Sequence, residues 1–581
     1  MMDSRTAAHV LGQIAAHLEL RGESTFKSRA YEQAATALLG IDTDDLAPLY
    51  RTGELARTRG LGPATLSVVR DLVETGESSY LEQLRATTPS GLLDLLRVPG
   101  LGTAKIHKLH DALGVDSIES LEQAARDGRV AKLPRYGPKT AEKILRGIEL
   151  LRAAGSQRLY PQGAEEGARV LAMVRSHPDV VAAELAGSIR RRRETVGDVD
   201  VVAVCGADPE RVATSFANAP GVRTARTAAP GSVAITYVDG TCFDLHCVTR
   251  ENFAVALWRA TGSSDHLDAV AARLAERGFA LDGDRLIDER HGVVPVADER
   301  TLYEHAGLAF VPPEMREGHG EIEAAEDGPL PVLVEPSDIR GVLHCHSTWS
   351  DGKATIAQMA DAARERGWSY IGITDHSQAA FYAGGLSRDR VLAQHDEIDA
   401  LNASRSDVRV LKGVEADILA DGTIDFGSDD LLDRFDFVVA SVHSRFAMDR
   451  ATMTARVLRA LDDPRLTILG HPTGRLLLSR EPYALDVDAM LEKVAEVGAA
   501  VELNADPHRL DLDWRHLPRA RALGVPIEIG PDAHSPRGLD HMATGIGIAR
   551  KGGLGARDVL NTRSADDVLA FARARRARGA R

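Results

Sequence analysis

No stretch of this 581-residue chain approaches the roughly 20 uninterrupted apolar residues of a membrane span, so the sequence predicts no transmembrane helix. The N-terminus opens on an amphipathic pattern instead of a signal peptide, which points to the cytoplasm. Cysteine is scarce: Cys205, Cys242, Cys247 and Cys345 form no CxxC pair, make no disulfide framework and fit a reducing compartment. Basic excess is lacking too, because 85 acidic residues outnumber 70 Lys and Arg and leave a net charge of -15. Duplex DNA would repel such a field, so any DNA contact must be local. Residues 321–338 contain no Lys or Arg but six acids (Glu321, Glu323, Glu326, Asp327, Glu335, Asp338) and three prolines. That composition predicts an extended linker and the main domain boundary.

With 44% hydrophobic and 27% charged residues, the chain can bury several cores and should divide into roughly three to five units. Residues 1–150 read as helices broken at Gly60-Leu61-Gly62, Gly100-Leu101-Gly102 and Tyr136-Gly137-Pro138, each break leading a new helix. The segments Arg59 to Gly76, Val98 to Leu113 and Leu133 to Leu150 share glycines, then a small residue or Lys, then an apolar helical repeat, and resemble the helix-hairpin-helix motif. Glycines permit a tight turn that leaves N–H groups at a helix N-terminus free to bind a DNA phosphate without reading sequence. Gly60, Gly62, Gly100 and Gly102 are therefore candidate DNA contacts. One such turn alone is an ordinary helix connection; the repetition is what points to DNA.

From about residue 180 the periodicity turns to strands, with Val199 to Cys205 nearly all apolar. The runs Val233 to Val238 and Thr241 to Val248, joined by Asp239-Gly240, read as a hairpin. In Gly187-Ser188-Ile189-Arg190-Arg191-Arg192-Arg193-Glu194-Thr195-Val196-Gly197-Asp198-Val199-Asp200, the two aspartates are two apart and project from one face of a strand. On the hairpin strand Phe243, Leu245 and Cys247 share one side, leaving Asp244 with Cys242 and His246 on the other, free to meet the first pair. Three hard oxygen ligands suit Mg²⁺ or Mn²⁺, and two such ions can activate an attacking hydroxyl and stabilise a leaving pyrophosphate. This is the apparatus of nucleotidyl transfer. The Gly-Ser turn can offer N–H and hydroxyl groups to a triphosphate, and Arg191 can neutralise its growing charge. Taken singly, the arginines are a solvated basic run and the aspartates are turn residues; together they are specific.

Over residues 1–318 the chain resembles family X DNA polymerases, the group that includes DNA polymerase beta. The resemblance implies a lyase-type domain (1–85), fingers (86–150), a palm (151–249) and a thumb (250–318). It also implies Asp198, Asp200 and Asp244 as catalytic aspartates, Ser188, Arg191 and Gly197 as triphosphate contacts, and Thr261-Gly262 as the remnant of a sugar-checking segment. Two departures stand out. Arg259 replaces the aromatic residue of that segment, and Val68 stands where lyase-competent relatives carry the Schiff-base lysine. Lys27 matches a lysine that contacts the 5′ phosphate, so phosphate anchoring is expected without lyase chemistry.

Beyond the linker, strand and helix alternate, with strands near 341–346, 369–374, 408–414, 436–441, 466–470, 499–503 and 526–529; seven βα units suggest a barrel. Histidine occurs 20 times, yet five of these seven strands run into one near their C-terminal ends. The set is His344, His346, Asp351, His376, Glu415, His443, His471, Asp532 and His534, all expected at one mouth. Imidazole mixed with carboxylate suits Zn²⁺, Mn²⁺ or Fe²⁺ better than Mg²⁺, and such ions activate water. Cys345 points to the opposite face and reads as packing. The motifs Leu343-His344-Cys345-His346-Ser347, Thr374-Asp375-His376, Val442-His443-Ser444, Gly470-His471-Pro472 and Asp532-Ala533-His534 closely resemble the PHP phosphoesterase family. That resemblance implies a distorted seven-stranded barrel with three metal ions, two of them bridged by Glu415.

The expected architecture is multidomain α+β and α/β: a helical helix-hairpin-helix region, a nucleotidyltransferase palm with thumb, an acidic linker at 319–338, and a distorted (β/α)7 PHP barrel over 339–575. A polymerase and a phosphoesterase on one chain resemble the bacterial PolX enzymes of base excision repair. The resemblance implies gap filling from dNTPs on primer-template or gapped DNA, a 3′–5′ exonuclease, no membrane partner and a monomer. Two rival readings are a small-molecule phosphatase, opposed by the helix-hairpin-helix repeats, and a DNA-binding scaffold with a decayed polymerase site, opposed by three intact aspartates. Arg573, Arg575, Arg576, Arg578 and Arg581 read as a solvated tail.

Overall fold

The computed structural model describes residues 2–579 apart from 40, 42, 44, 77, 88, 89, 97, 156, 239, 240, 428 and 429. The chain forms two compact units, Met1–Gly155 and Ser156–Arg581.

The first unit is helical, with one apolar core around Leu11, Ile14, Leu18, Leu38, Val69 and Leu72, and another around Leu92, Ile106, Leu109, Leu121 and Ile144. The glycine breaks lead the helices Pro63–Thr75, Thr103–Leu113 and Pro138–Ala154. One hydrogen bond closes each turn in the same way: Leu61 N–H to Thr58 O (3.2 Å), Leu101 N–H to Val98 O (3.1 Å) and Tyr136 N–H to Leu133 O (3.0 Å). Gly60 and Gly100 take φ of +101° and +79°, where a Cβ is unwelcome, and Arg135 takes 70° at the third turn. The sequence repeat is thus a backbone repeat. Val68 is 3% exposed and packs in the first core.

The second unit begins with a five-stranded sheet of Val180–Leu185 (β1), Val199–Cys205 (β2), Val222–Ala229 (β3), Ser232–Tyr237 (β4) and Cys242–Val248 (β5), in the order β1-β2-β5-β4-β3. Only β2 and β5 run parallel, and both are central. Val199, Val201, Ala203, Phe243 and Leu245 face a core shared with the helices Tyr160–Arg175 and Pro209–Ala217, while Val202 and Val248 meet Leu257 on the other face. The expected turn residues Asp239 and Gly240 lie outside the described residues. Next come the helices Phe253–Thr261 and Ser264–Glu276, the antiparallel strands Phe279–Asp282 (β6), Arg285–Asp288 (β7) and Gly292–Val294 (β8), and the helix Glu299–Ala306, around Trp258, Leu274, Leu286, Leu302 and Tyr303.

The acidic segment is only in part the extended linker that its composition suggested, since residues 327–335 carry no helix or strand but the residues before them do. Glu321–Glu326 is a helix whose Ile322 and Ala325 complete the preceding core. Two of its acids find partners far away in sequence, which composition does not reveal: Glu321 lies 2.7 Å from His266 Nδ1, and Glu326 pairs with Arg273.

The barrel strands are Gly341–Val342 (β9), Tyr370–Ile373 (β10), Arg409–Lys412 (β11), Glu415–Asp417 (β12), Val439–Ser441 (β13), Ile468–Leu469 (β14), Ala500–Asn504 (β15) and Ile527–Gly530 (β16), all parallel to their neighbours. The third expected strand, 408–414, stops at Lys412 as β11, and after Gly413-Val414 a further strand, β12, opens the second sheet, which distorts the ring. A Cβ at Gly413 would collide with the Phe437 ring. Pairing of Cys345 with Ala533 joins the first strand to the last, with His346 N–H donating to Ala533 O at 2.9 Å. The arginines read as a solvated tail lie on the helix Ala565–Gly579, where Arg575 is buried and donates to the Leu461 and Asp463 carbonyls, and Arg576 donates to Phe435 O. Arg581 lies outside the described residues.

Candidate polymerase and metal centres

On β2 and β5, Asp200 sits directly opposite Asp244, and Asp198 precedes β2 on the same side as Asp200. Gly187 takes φ +56° against Asp200, where any Cβ would collide with the carboxylate. Ser188, next in the chain, has a buried hydroxyl oxygen with no partner among the described residues. Burial first, then the charges of Asp198 and Asp244, push the Asp200 carboxyl up to about 7. Asp244 is raised as well, by burial and then by Asp198. Crowded carboxylates of this kind favour a divalent cation, which relieves both penalties at once. Among the described residues the three aspartates do not gather to the 4.8 Å spacing of the histidine groups below.

The other residues expected at this site lie around it. Arg191 donates to Glu317 Oε1 (3.0 Å) and to Thr261 O (2.6 Å). Arg190 donates to the Thr261 hydroxyl (2.8 Å) and to both oxygens of Glu299. Gly197 O accepts from Arg158, and Gly262 ends the helix Phe253–Thr261. Arg259 reaches Asp284 Oδ1 (3.5 Å) and donates to Gly283 O, while Asp284 Oδ2 lies 2.6 Å from His246 Nε2. The guanidinium thus holds the β6–β7 hairpin.

At the second site the structure brings all nine expected residues to the C-terminal ends of the barrel strands. Three groups have ligand atoms within 4.8 Å of one another: His344, His346 and Asp532; His346, Asp351, His376 and His534; and His376, Glu415 and His443. His471 Nε2 joins them, 2.9 Å from Glu415 Oε1. The donor set fits metal ions. His344 Nε2, His376 Nδ1 and both ring nitrogens of His346 are buried with no directed hydrogen bond among the described residues, although carboxylate oxygens lie 3.0–3.9 Å away. Burial, then His376 and His534, drives His346 down to about 3, leaving its imidazole neutral as a ligand must be. Burial opposes ionisation of Glu415, but His443, His376 and His344 hold it well below the usual carboxylate range.

Behind these residues stands a layer that the sequence reading missed. Glu502 accepts from His344 Nδ1 (2.6 Å) and from His471 N–H (2.5 Å), and Asp417 Oδ1 lies 2.8 Å from His443 Nδ1. Asp375, inside a recognised motif, accepts from Ser347, Ser350 and Gln394. Such partners fix the ring orientation and tautomer of a ligating histidine. A carboxylate in the otherwise apolar run Ala500-Val501-Glu502-Leu503 was the available signal, because burial of an unpaired charge is too costly to be incidental.

The candidate DNA contacts Gly60, Gly62, Gly100 and Gly102 occupy their turns in the first unit, and Lys27 lies 3.3 Å from Glu23 and 5.7 Å from the Tyr80 ring.

Three family models match: the SAM-like helix-hairpin-helix tandem at residues 92–149, the DNA polymerase beta thumb at 256–317 and the PHP domain at 343–505. The chain is 38% identical over 578 residues to the DNA polymerase/3'-5' exonuclease PolX of Bacillus subtilis, covering 98% of this chain and 99% of that protein. A probable phosphatase of Caldanaerobacter subterraneus is 28% identical over 259 residues, covering 41% of this chain and 94% of the phosphatase. One of Syntrophotalea carbinolica is 26% identical over 247 residues, covering 39% of this chain and 94% of its own length. Helix-hairpin-helix turns, a polymerase-beta-type thumb and a PHP barrel on one chain define a family X DNA polymerase with a PHP domain. The near end-to-end match narrows the class further: the chain belongs to the PolX family.

Proposed function

We infer that this chain fills gaps in DNA by template-directed nucleotidyl transfer from dNTPs and trims 3′ ends by phosphodiester hydrolysis at the PHP mouth. The observation that carries the reading is the presence, in one compact unit, of Asp200 facing Asp244 across paired strands and of nine convergent ligand residues at the barrel mouth. In this reading Asp198, Asp200 and Asp244 hold Mg²⁺ or Mn²⁺. His344, His346, Asp351, His376, Glu415, His443, His471, Asp532 and His534 would hold three ions of Zn²⁺, Mn²⁺ or Fe²⁺. Bound there, divalent ions supply positive charge for developing oxyanions and lower the pKa of an attacking hydroxyl or water.

The protein's own groups do the rest. The partnerless Ser188 hydroxyl and the neighbouring backbone are offered to the dNTP triphosphate, and Arg191 neutralises its charge. Thr261 and Gly262 hold the segment beside the sugar, and Gly197 shapes the approach to Asp198. Glu502 and Asp417 orient His344, His471 and His443. The turns at Gly60-Gly62 and Gly100-Gly102, with Lys27, hold DNA phosphates without reading bases. The reading assigns residues 1–85 to a lyase-type domain, 86–150 to fingers, 151–249 to palm, 250–318 to thumb and 339–575 to PHP, and makes the protein a cytoplasmic monomer.

The test is a one-nucleotide-gapped duplex with Mn²⁺, with and without dNTPs, on a sizing gel. Extension with dNTPs and shortening without them are expected. A second reading, phosphomonoester hydrolysis at the barrel, is favoured by the phosphatases matched over that part of the chain. It predicts turnover of p-nitrophenyl phosphate and no shortening.

A further inference from the structure

Ten residues after β10 make a rigid frame around two exposed rings. Leu386 N–H returns to His376 O at 2.8 Å, Ser377 bridges to Leu386, and Gly385 N–H donates to Ala380 O at 3.1 Å. Ala379 N–H is held by Asp425 Oδ2 at 2.7 Å, and Arg390 donates to Gly384 O at 2.8 Å and to Trp349 O. Ala380, Ala383 and Leu386 are buried, yet Phe381 is 84% and Tyr382 63% exposed. Their rings meet edge to face with centroids 5.9 Å apart. Two large rings held in water by an ordered frame are unexpected in a chain with only 4% aromatic residues.

The surroundings select what covers them. The frame starts at His376, and Gly384 abuts the Ser350 carbonyl beside Asp351, so both ends touch the candidate metal mouth. Cations flank the same mouth: Arg509 Nε lies 3.6 Å from Asp532 Oδ2, and exposed Arg445 follows His443 by two residues. Flat faces for π-stacking, next to ion ligands for a phosphodiester and arginines for neighbouring phosphates, match a nucleotide strand. An apolar peptide would leave those arginines unmatched.

We propose that Phe381 and Tyr382 form a stacking platform for the 3′-terminal bases of single-stranded DNA entering the PHP mouth. The proposal rests on the phosphodiesterase reading of that mouth. Such a platform orients the last linkage without reading its sequence and favours single-stranded ends, because a duplex end offers only the outer face of its terminal pair whereas unpaired bases can each present a face.

The experiment uses the full chain with Mn²⁺ and a deoxythymidine strand ending in 2-aminopurine, its last linkage a slowly cleaved phosphorothioate. Wild-type protein should quench the 2-aminopurine fluorescence on binding. Phe381→Ala/Tyr382→Ala should lose the quenching and bind roughly ten- to a hundredfold more weakly. Tyr382→Phe should retain both, because its ring remains. On a strand whose last two residues lack bases, the difference between wild type and the double variant should disappear. Quenching that survives the double substitution, or an equal loss on the abasic strand, overturns the platform. Wild type that quenches and binds but leaves an ordinary phosphodiester strand uncut supports the platform and contradicts the phosphodiesterase reading instead.

Discussion

The Lys551 ammonium, carried by the barrel helix Met542–Lys551, lies 2.5 Å from the Glu317 carboxylate, and both side chains are buried. Glu317 also holds Arg191 (3.0 Å) and Arg193 (3.1 Å), two arginines of the turn that leads to Asp198 and Asp200. Burial opposes its charge, but Lys551 and then Arg191 hold Glu317 down, from 4.5 to about 2. Burial pulls Lys551 down as well, from 10.5 to about 8, against the opposing pull of Glu317. Glu317→Gln leaves three cations without their shared anion and should cost about 3–5 kcal/mol, the range for breaking a buried pair. Lys551→Met leaves Glu317 with two arginines and should cost less. Equal losses in chemical unfolding would contradict this ordering.

The same carboxylate sets an acid limb. Because its folded pKa is depressed, its contribution is complete above the unfolded value and is lost as pH falls from about 4.5 toward about 2. Unfolding free energy measured between pH 6 and pH 3 should fall more steeply in wild type than in Glu317→Gln. Parallel curves would show that Glu317 is not the titrating group.

Glu502 reaches the mouth through His344 and His471. Glu502→Gln should lower metal affinity at the mouth by about ten- to a hundredfold, the usual cost of losing such a partner. Calorimetric titration of Mn²⁺ into the metal-stripped chain reads this, and nucleotide addition should be unchanged. Unaltered affinity would reduce Glu502 to a packing role.

Val68 is 3% exposed within the apolar core of the first unit, so no amine at that position reaches an abasic sugar. Borohydride trapping on an incised abasic substrate should give little or no adduct. A strong adduct that disappears on mutating an N-terminal lysine would show that another nucleophile exists.

Arg259 spends its guanidinium on Gly283 and Asp284, so it does not replace the aromatic packing that relatives place beside the sugar. Arg259→Tyr should sharpen selection of dCTP over CTP opposite G by about tenfold, equivalent to roughly 1.4 kcal/mol between two transition states. Single-turnover insertion measures it. Identical sugar selectivity in the two proteins removes the idea.

What the sequence made legible was whatever sits at fixed spacing. Asp198 and Asp200 two apart at the start of a strand, histidines just beyond strand ends and repeated glycine turns all follow from local periodicity; the structure sets Asp200 opposite Asp244, gathers the histidines at one mouth and repeats the turn backbone. What it hid depends on partners distant in the chain. The acids of 321–326 looked like solvent-facing linker because His266 and Arg273 are far away in sequence, and Arg575 looked like tail because its acceptors are the carbonyls of Leu461 and Asp463. Glu502 escaped notice because a buried carboxylate is visible only as an exception within an apolar run.

The central claim is that two separate metal-dependent sites on this chain do different chemistry, and one measurement bears on it most directly. Wild type, Asp244→Ala and His344→Ala are each incubated with Mn²⁺ and a gapped duplex, with and without dNTPs, and the primer is sized. Asp244→Ala should lose extension by at least about a hundredfold while still shortening the 3′ end, and His344→Ala should extend but not shorten. If either substitution removes both activities from a folded protein, the two-site account is wrong.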